Sequence, residues 1–430
     1  MTYQEATTYL FNSAPLFQNI GAGAYKEGLE NTRLLDAHFG HPHRHFHTIH
    51  VAGTNGKGSV SHTLAAILQS AGYRTGLYTS PHLVDFRERI RVNGEMIPQQ
   101  RVVDFVEQER DFFEPLHPSF FELATALAFK YFQEAQVDVA VIEVGLGGRL
   151  DCTNIISPDL SIVTNISFDH VQFLGNTLPQ IAAEKAGIIK SGIPVVIGET
   201  NGHEDVHNVF LRKVQEVGTR ACFADEMGEI LSATPDEDGG MTYHTRHHGT
   251  MKAQLGGLYQ YANTATILAA VDELRKVGYA ISDEHLQEGF LHVCNLTGLM
   301  GRWQKLHQEP DVICDTGHNV AGFQYTIQQL ERQCRGHLNI IIGMVSDKDV
   351  STILTLLPKD ATYYFTQASV KRAMPAAEFT TKAKEAGLKG KTYKKVVTAY
   401  RAAMKNAAPE DLIFVGGSNF IVADMLKSIL

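Results

Sequence analysis

The chain has 430 residues, about two to three times the usual domain length, which favours two domains. It carries 38 Lys and Arg residues against 47 Asp and Glu residues, a formal charge of −9. This balance argues against a nucleic-acid-binding surface spread over the molecule, but a local site for a small anion is compatible with it.

The five cysteines lack CxxC and CxH spacing, which is typical of reduced thiols in the cytoplasm rather than of a disulfide framework or a zinc ribbon. The first 18 residues lack a basic region followed by an apolar one, and no apolar run approaches a membrane span, so we expect a soluble, unprocessed protein.

Short apolar runs alternate with helix-compatible sequence along the first half of the chain. Five of them are predicted strands, at 48–53, 75–80, 137–145, 160–167 and 193–199. Nearly continuous apolar strands of this kind indicate a parallel α/β sheet that is covered on both faces. The first helix after the first strand should pack one stripe on this sheet, formed by Val60, Leu64, Ile67, Leu68 and Ala71.

The alternation breaks at about 230–255, where turn signals separate short alternating stretches, and we predict a small antiparallel excursion there. It restarts with predicted strands at 311–317, 338–345, 361–367 and 411–418. A second, smaller doubly wound domain follows from this pattern. The expected domains are 1–296 and 297–430.

The stretch Gly53–Ser59, GTNGKGS, joins the first strand to the first helix. It misses the general phosphate-loop spacing, because Gly53 lies only three residues before Gly56 and Gly58 separates Lys57 from Ser59. Glycines that turn N–H groups inward, a helix N-terminus and one lysine still suit a nucleotide phosphate. The alternative is a plain turn whose lysine faces solvent.

Two later stretches place polar residues at the ends of strands. Glu143 ends a buried strand, where it would hold a cation or, alternatively, cap a turn or pair with Arg149. Asp169 and His170 follow the next strand, at the carboxyl edge where doubly wound sheets bind ligands, although a lone histidine is more often structural.

Six ordered motifs then carry a resemblance to a known family. They are GTNGKGS (53–59), TSPHL (79–83), EVGLGGRLDCTN (143–154), SFDH (167–170), AAEKAGIIK (182–190) and DTGHN (315–319). The chain resembles, over nearly its whole length, the folylpolyglutamate and dihydrofolate synthases of the Mur ligase superfamily, whose loop has this shortened spacing. The resemblance implies an N-terminal P-loop ATPase-like domain with a parallel sheet and a C-terminal Rossmann-like domain.

The resemblance also assigns roles to individual residues. The residues that it implies for ATP are Thr54, Asn55, Gly56, Lys57, Gly58, Ser59, Asn263, Arg302 and Asp315. It implies two Mg²⁺ sites, one held by Ser80 and Glu143 and one by His170. The residues implied for the pterin substrate are Phe121, Glu122, Leu123, Leu150, Asp151 and Cys152, together with Lys185. Lys185 matches the family's carbamylated lysine, and Lys57, Lys185 and His170 are the expected catalytic residues.

The chain departs from the family pattern at three positions. Tyr259 stands where the family usually has His, Met300 replaces the usual Pro, and Cys152 replaces the common Ala. We expect these departures to affect substrate preference rather than the ATP chemistry.

The implied reaction is ATP-driven amide synthesis, in which L-glutamate is added to dihydropteroate or to the glutamate tail of a folate through an acyl phosphate. The segment 119–132 resembles versions that accept dihydropteroate, so we predict a bifunctional enzyme that acts as a monomer. A Mur-type cell-wall ligase and a non-catalytic nucleotide switch are the alternatives, and the switch would not need His170 or Lys185.

The remaining histidines have open roles. His318 would position phosphate or the C-terminal domain, or be structural. The histidines of the stretch 41–50 suggest either a metal site or, more simply, a polar connector.

Overall fold

The computed structural model describes residues 1–13, 28–200, 202–236, 238–346 and 348–429. The described chain forms two compact units. Unit 1 comprises Met1–Thr234, Thr242–Gln254 and Gln260–Leu299, and unit 2 comprises Pro235–Met241, Leu255–Tyr259 and Met300–Leu430. The domain limits 296 and 297 stay a prediction, and the last part of the N-terminal stretch 1–18, where we expect no targeting segment, lies outside the described residues.

Unit 1 is built on an eight-stranded sheet. Its strands are β1 (His47–Ala52), β2 (Thr75–Tyr78), β3 (Ile90–Val92), β4 (Glu95–Met96), β5 (Val139–Glu143), β6 (Leu160–Asn165), β7 (Val195–Glu199) and β8 (Ala221–Phe223). The strand order is β4-β3-β2-β5-β1-β6-β7-β8. Pairing is parallel from β2 to β8, whereas β3 and β4 are antiparallel at one edge. The five predicted strands are confirmed, and they form the contiguous interior of the sheet.

The helices of unit 1 surround this sheet. They are α1 (Tyr3–Ser13), α2 (Glu30–His38), α3 (Lys57–Ser70), α4 (Gln99–Phe113), α5 (Phe120–Glu134), α6 (Val171–Leu174), α7 (Leu178–Ala186), α8 (Glu204–Val217), α9 (Gln260–Lys276), α10 (Asp283–Leu291) and α11 (Val293–Thr297). Short 3-10 turns lie at Pro42–Arg44, Phe86–Arg89, Glu114–Leu116, Cys152–Ile155 and Ala224–Glu226.

Helix α3 is buried more completely than its sequence suggests. Every residue from Ser59 to Leu68 is buried. The reason is a second neighbour besides the sheet: α10 packs so closely that a side chain at Gly289 would overlap Ile67. Of the predicted stripe, only Ala71, which caps the helix, is partly exposed.

The predicted excursion at 230–255 is a three-stranded sheet. It contains β9 (Ile230–Pro235), β10 (Met241–Thr245) and β11 (Thr250–Ala253), in the order β11-β10-β9. The connections between consecutive strands are far shorter than a parallel crossover needs, so neighbouring strands are antiparallel.

Unit 2 carries a six-stranded sheet. Its strands are β12 (Gln304–His307), β13 (Asp311–Cys314), β14 (Leu338–Ile342), β15 (Thr362–Phe365), β16 (Lys389–Thr392) and β17 (Leu412–Gly416). Its helices are α12 (Val320–Gln333), α13 (Val350–Leu356), α14 (Ala376–Glu385), α15 (Val396–Asn406) and α16 (Asn419–Lys427). The order is β12-β13-β17-β14-β15-β16, and only β12 is antiparallel to its neighbour. The α/β class predicted for both parts of the chain is confirmed.

Within the described ranges, no helix combines the length and the apolar character that crossing a bilayer would require.

Candidate active site

The loop between β1 and α3 has a backbone that requires glycine at two positions. Gly53 has φ +147°, and a side chain there would overlap the hydroxyl of Thr164. Gly56 has φ +85° and caps α3, and a side chain there would overlap the amide oxygen of Asn263. Both conformations are strained for other residues, so the glycines set the shape of the loop.

The end of β6 and the segment that follows it hold this loop in place. The Thr54 hydroxyl donates to the carbonyl of Ser167 at 3.0 Å and accepts from the Ser167 N–H at 3.1 Å. The Asn55 N–H donates to the side-chain oxygen of Asn165 at 2.9 Å, and the Asn55 carbonyl accepts from the hydroxyl of Thr164 at 2.5 Å. The motif that contains Ser167 and the glycine loop are therefore one structural element, although about 110 residues separate them.

Two lysines meet at one carbonyl oxygen of the loop. Lys57 Nζ donates to the carbonyls of Gly53 at 3.0 Å and Thr54 at 3.2 Å. Lys185 Nζ, from α7, donates to the same Gly53 carbonyl at 2.8 Å. Lys185 is only 3% exposed, and burial, followed by the charge of Lys57, lowers its pKa to about 7. A large fraction of Lys185 is thus neutral near pH 7.

The predicted residues of the first metal site are neighbours at the carboxyl ends of β2 and β5. Glu143 is 3% exposed, and its carboxylate accepts the Ser80 N–H at 3.1 Å. Mg²⁺ prefers oxygen ligands, and a buried carboxylate next to a serine residue can supply them, so these residues fit the ion. The guanidinium of Arg149 pairs with Glu184 at 2.9 Å.

His170 lies at the start of α6 with φ +51°, and its side chain is partly exposed. The main-chain N–H of His170 donates to the Asp169 carboxylate at 2.8 Å. Among the described residues, no three His, Cys, Asp or Glu side chains form a cluster of the kind that holds a metal ion. The second metal site predicted at His170 therefore stays a prediction.

Arg89 was missed by the sequence reasoning. It is 3% exposed at the end of the 3-10 turn Phe86–Arg89, and its Nε donates to His82 Nδ1 at 2.8 Å. Burial lowers the pKa of Arg89, while the nearby Tyr78 and Glu143 oppose this shift. None of the six sequence motifs contains Arg89, so the sequence alone provided no signal for a buried cation there.

The predicted substrate residues of α5 have different environments. Glu122 closes a capping box with Ser119: its carboxylate accepts the Ser119 N–H at 2.6 Å, and its own N–H donates to the Ser119 hydroxyl at 3.2 Å. Leu123 is 1% exposed in the core. Phe121 is partly exposed, its ring centroid lies 5.8 Å from that of Tyr78 with the two rings tilted, and it fills the space beside Gly145. Of the three, Phe121 reaches the glycine-rich loop after β5.

The second predicted substrate stretch lies in this same loop. The Asp151 carboxylate accepts four hydrogen bonds, from the N–H groups of Gly145, Leu146 and Thr153 and from the Thr153 hydroxyl. Burial raises the pKa of Asp151 and also that of the Cys152 thiol. The third member, Leu150, lines an open pocket of about 400 Å³, whose other lining residues are Leu29, Glu30, Arg33 and Leu34.

Asn263 of α9 lies against the glycine loop. Its Nδ2 donates to Gln260 Oε1 at 2.8 Å, and Gln260 Nε2 donates to the Ser59 hydroxyl at 3.2 Å. Ser59, Gln260 and Asn263 are all buried. The structure thus places Asn263 beside Gly56, and both are residues that the resemblance implies for ATP. Gln260, which the sequence analysis did not name, connects Asn263 to Ser59. Gly58 is part of the first turn of α3.

In unit 2, Arg302 and Asp315 are close together. Arg302 Nη1 donates to the Thr316 hydroxyl and, at 3.3 Å, to the Gly301 carbonyl. Asp315 is 3% exposed and follows β13. His318 Nδ1 lies 3.1 Å from the Thr316 carbonyl. Arg302 is therefore held by the residue that follows Asp315 in the chain.

Four histidines of the stretch 41–50 contact three different partner residues. His41 and His43 each contact the Asp36 carboxylate at 2.6 Å, and His47 contacts Asp159 at 2.8 Å. His50 is fully buried beside the Thr153 hydroxyl at 2.9 Å, and burial lowers its pKa to about 3. These contacts fit the polar connector better than a shared metal ion.

Two protein-family models match consecutive parts of the chain. Residues 51–271 match the Mur ligase middle domain, and residues 301–419 match the glutamate ligase domain of Mur ligases. The chain is 33% identical over 433 residues to the dihydrofolate synthase/folylpolyglutamate synthase of Escherichia coli K12, a match covering 99% of this chain and 96% of that protein. It is 34% identical over 354 residues to the protein of the same name from Bacillus subtilis 168, covering 77% and 79% of the two chains.

Solved structures agree with these matches. E. coli FolC in complex with DHPP and ADP has a TM-score of 0.83 at 31% identity and covers 100% of this chain and 98% of that one. Mycobacterium tuberculosis folylpolyglutamate synthase with ADP has a TM-score of 0.86 at 28% identity, with 99% and 97% covered. The chain therefore belongs to the Mur ligase family. Its full-length relatives there are the folylpolyglutamate and dihydrofolate synthases, and it is an ATP-dependent ligase of this type.

Proposed function

We propose that the protein is bifunctional and adds L-glutamate both to dihydropteroate and to the glutamate tail of a folate. The observation that carries the ligase chemistry of this proposal is the meeting of Lys57 and Lys185 at the Gly53 carbonyl, because it joins the phosphate loop to the lysine of a second family motif. The acceptance of dihydropteroate rests on the resemblance of the segment 119–132. A solved relative is bound to DHPP and ADP, and a bifunctional relative is bound to Mn, AMPPNP and L-glutamate. The expected ligands thus have counterparts among the relatives.

Residues Thr54 to Ser59 bind the ATP phosphates in this proposal. Lys57 donates only to main-chain carbonyls of its own loop in the hydrogen bonds above, and a phosphate oxygen is a stronger, charged acceptor. Exchange of these carbonyls for phosphate therefore favours binding. Asn263, Arg302 and Asp315 contribute further contacts to the nucleotide.

Ser80 and Glu143 would hold one Mg²⁺ and His170, with Asp169, a second. Bound there, the ions supply charge neutralisation at the phosphates during transfer. Arg89 keeps a positive charge near Glu143 and limits the cost of burying that carboxylate.

The reaction has two chemical steps. A carboxylate oxygen of the substrate attacks the γ-phosphorus of ATP, the bond to the bridging oxygen breaks, and ADP leaves with that electron pair. The ammonium group of glutamate first loses one proton to water, and the resulting amine attacks the acyl carbon to form a tetrahedral intermediate. As this intermediate collapses, the bond between the acyl carbon and the phosphate oxygen breaks, phosphate leaves with that electron pair, and the second proton of the nitrogen passes to phosphate or water. Lys57 stays on the transferring phosphoryl group through the first step and stabilises its charge.

Lys185 acts as a carbamate in the proposed enzyme. A neutral amine adds CO₂, and the low pKa of Lys185 supplies that form near pH 7. The resulting anion no longer repels Lys57 and can serve as a ligand or orient water beside His170.

The pterin substrate is assigned to the loop that contains Leu150, Asp151 and Cys152, with Phe121 beside it. Four hydrogen bonds fix the Asp151 carboxylate, so it forms a rigid wall of the site. Glu122 and Leu123 support this site through the cap and core of α5. We also propose a cytoplasmic monomer, and the five free thiols support the compartment.

Mass analysis of products tests the function. Purified protein is incubated with ATP, Mg²⁺ and glutamate, together with either dihydropteroate or tetrahydrofolate, and each component is omitted in turn. We expect dihydrofolate in the first mixture and a glutamate-extended folate in the second, each with stoichiometric ADP. Extension of tetrahydrofolate without any dihydrofolate product would refute the bifunctional claim. ADP release that requires neither pterin compound nor glutamate would refute the ligase assignment.

A further inference from the structure

The Asp315 carboxylate is held by three donors of its own unit. The Trp303 N–H donates to Oδ2 at 2.8 Å, and the Gly317 N–H donates to Oδ1 at 2.7 Å. The third donor is the hydroxyl of Tyr259, 2.6 Å from Oδ2. Oδ2 therefore accepts two hydrogen bonds and Oδ1 accepts one. A carboxylate oxygen has two lone pairs, so Oδ1 keeps capacity for one more donor.

Of these three donors only the Tyr259 hydroxyl is a side-chain group, since Trp303 and Gly317 donate main-chain N–H groups. The packing of its chain segment fixes the position of Tyr259. It belongs to the segment Leu255–Tyr259, which packs with unit 2. The N–H of the preceding Leu258 donates to Gln329 Oε1 at 2.6 Å, and Gln329 is 2% exposed on α12. Burial and the Asp315 charge hold the pKa of Tyr259 well above its ordinary value, so the hydroxyl remains a donor at working pH.

We propose that Tyr259 is a positioning residue that fixes the Asp315 carboxylate so that Oδ1 is presented to the nucleotide. This inference rests on the proposed nucleotide role of Asp315. Without the phenol hydroxyl, each Asp315 oxygen has one main-chain donor, and the two oxygens become equivalent acceptors. Water fills the space of the lost hydroxyl, and the carboxylate loses the contact that distinguishes Oδ2 from Oδ1. Nucleotide binding weakens as a result, while the reacting groups around Lys57 stay as they are.

The position also suits the residue that the family usually carries there. An imidazole N–H can donate to a carboxylate as a phenol hydroxyl does. The requirement at this position is therefore a side-chain donor aimed at Asp315, and Tyr259 is this chain's version of it. Phenylalanine keeps the ring and removes only the donor, which makes Tyr259→Phe the informative variant.

A second tyrosine in unit 2 provides the matched control. The Tyr363 hydroxyl donates to the Pro358 carbonyl at 2.6 Å, and the residue is buried in the core of the unit. Tyr363→Phe removes a comparable hydrogen bond without touching Asp315. Any loss of nucleotide affinity that comes merely from a less stable unit should appear in this variant too.

The experiment measures ADP binding by calorimetry and, separately, KM for ATP and kcat. Tyr259→Phe should raise the Kd for ADP and the KM for ATP roughly fivefold or more, with kcat at saturating ATP within about twofold of wild type. Tyr259→His should restore most of the affinity, and Tyr363→Phe should bind ADP as wild type does. The proposal is overturned if Tyr259→Phe binds ADP normally, if Tyr363→Phe weakens binding equally, or if Tyr259→His is no better than Tyr259→Phe. Because ADP binding needs no turnover, this result is independent of whether wild type proves to be a ligase in the product assay.

Discussion

Lys185 offers the most direct test of the site, because its unusual environment predicts a reactive amine. At a pKa of about 7, half of the side chains are neutral at pH 7. A lysine with an ordinary pKa is neutral in roughly one molecule in 3,000 at that pH. The neutral amine adds CO₂, so Lys185 should form a carbamate under conditions in which exposed lysines do not.

Carbon-13 NMR in ¹³C-bicarbonate measures this adduct directly. Wild-type protein should show a carbamate signal at pH 8 that declines as the pH falls through 7, and Lys185→Ala should lack it. Lys190→Ala is the matched control, because Lys190 Nζ also donates to a main-chain carbonyl, that of Asn154 at 3.1 Å. A signal that survives in Lys185→Ala, or that is absent from wild type at pH 8, would refute the reasoning. Ligase activity should be strongly reduced in Lys185→Ala and partly restored by small carboxylic acids.

The same shift predicts how stability depends on pH in CO₂-free buffer. The folded pKa of Lys185 is about 7, and the unfolded pKa is 10.5, so the unfolded chain binds the extra proton between these values. Stability therefore rises with pH across this window, by at most about 1.4 kcal/mol per pH unit, and the cost of burying the charge is fully present below pH 7. Urea denaturation between pH 7 and 9 should show this slope in wild type and lose it in Lys185→Met. An equal slope in both proteins would mean that Lys185 is charged when folded.

Three further substitutions test the loop and the metal site. Lys57→Ala should abolish ADP release with little change in melting temperature, because its hydrogen bonds go to main-chain groups of a loop shaped by glycines; substantial turnover would contradict the assignment. Glu143→Gln should raise the Mg²⁺ concentration needed for half-maximal rate, since an amide is a poorer ligand for a hard cation, and normal activity at limiting Mg²⁺ would count against the site. Gly56→Ala should destabilise the protein by more than Gly72→Ala in thermal denaturation and should weaken ATP binding. Both glycines have φ near +85°, at +85° and +87°, but only a side chain at Gly56 overlaps Asn263, so equal effects would exclude that clash as the cause.

The sequence predicts the interior of both sheets better than their edges. Interior strands such as β5 and β14 are buried along their whole length, so their sequences are nearly continuous apolar runs, in which Glu143 and Asn339 are the polar residues. The strands β3, β4, β8, β12 and β16 were not predicted. They are at most four residues long, and most of them lie at sheet margins, where polar residues interrupt the pattern, as in the exposed β16. Hydrophobic pattern alone therefore underestimates the width of each sheet.

Sequence motifs predicted which residues belong to the site. They did not predict the burial or the hydrogen-bond partners of those residues. The sequence Ser119–Glu122 has the spacing of a capping box, which indicates that Glu122 is bound to its own helix terminus. This signal was available and weakens a direct substrate role for Glu122. Arg89 and Gln260 gave no comparable signal, because their importance comes from burial beside Glu143 and Ser59, and burial is a property of the folded chain.

Strand order explains why residues so distant in sequence act together. The four neighbouring strands β2, β5, β1 and β6 run parallel, so their carboxyl ends share one edge. Neighbouring strands are about 4.8 Å apart, which brings the segments that follow them within reach of one another. Ser80, Glu143, Gly53 and Ser167 follow or end these strands in that order. Motif order along the chain was enough to indicate the family, but the contact of Ser80 with Glu143, and of Thr54 with Ser167, follows from the order of strands across the sheet. A substitution that preserves every motif and shifts the register of β5 against β1 would therefore separate these groups.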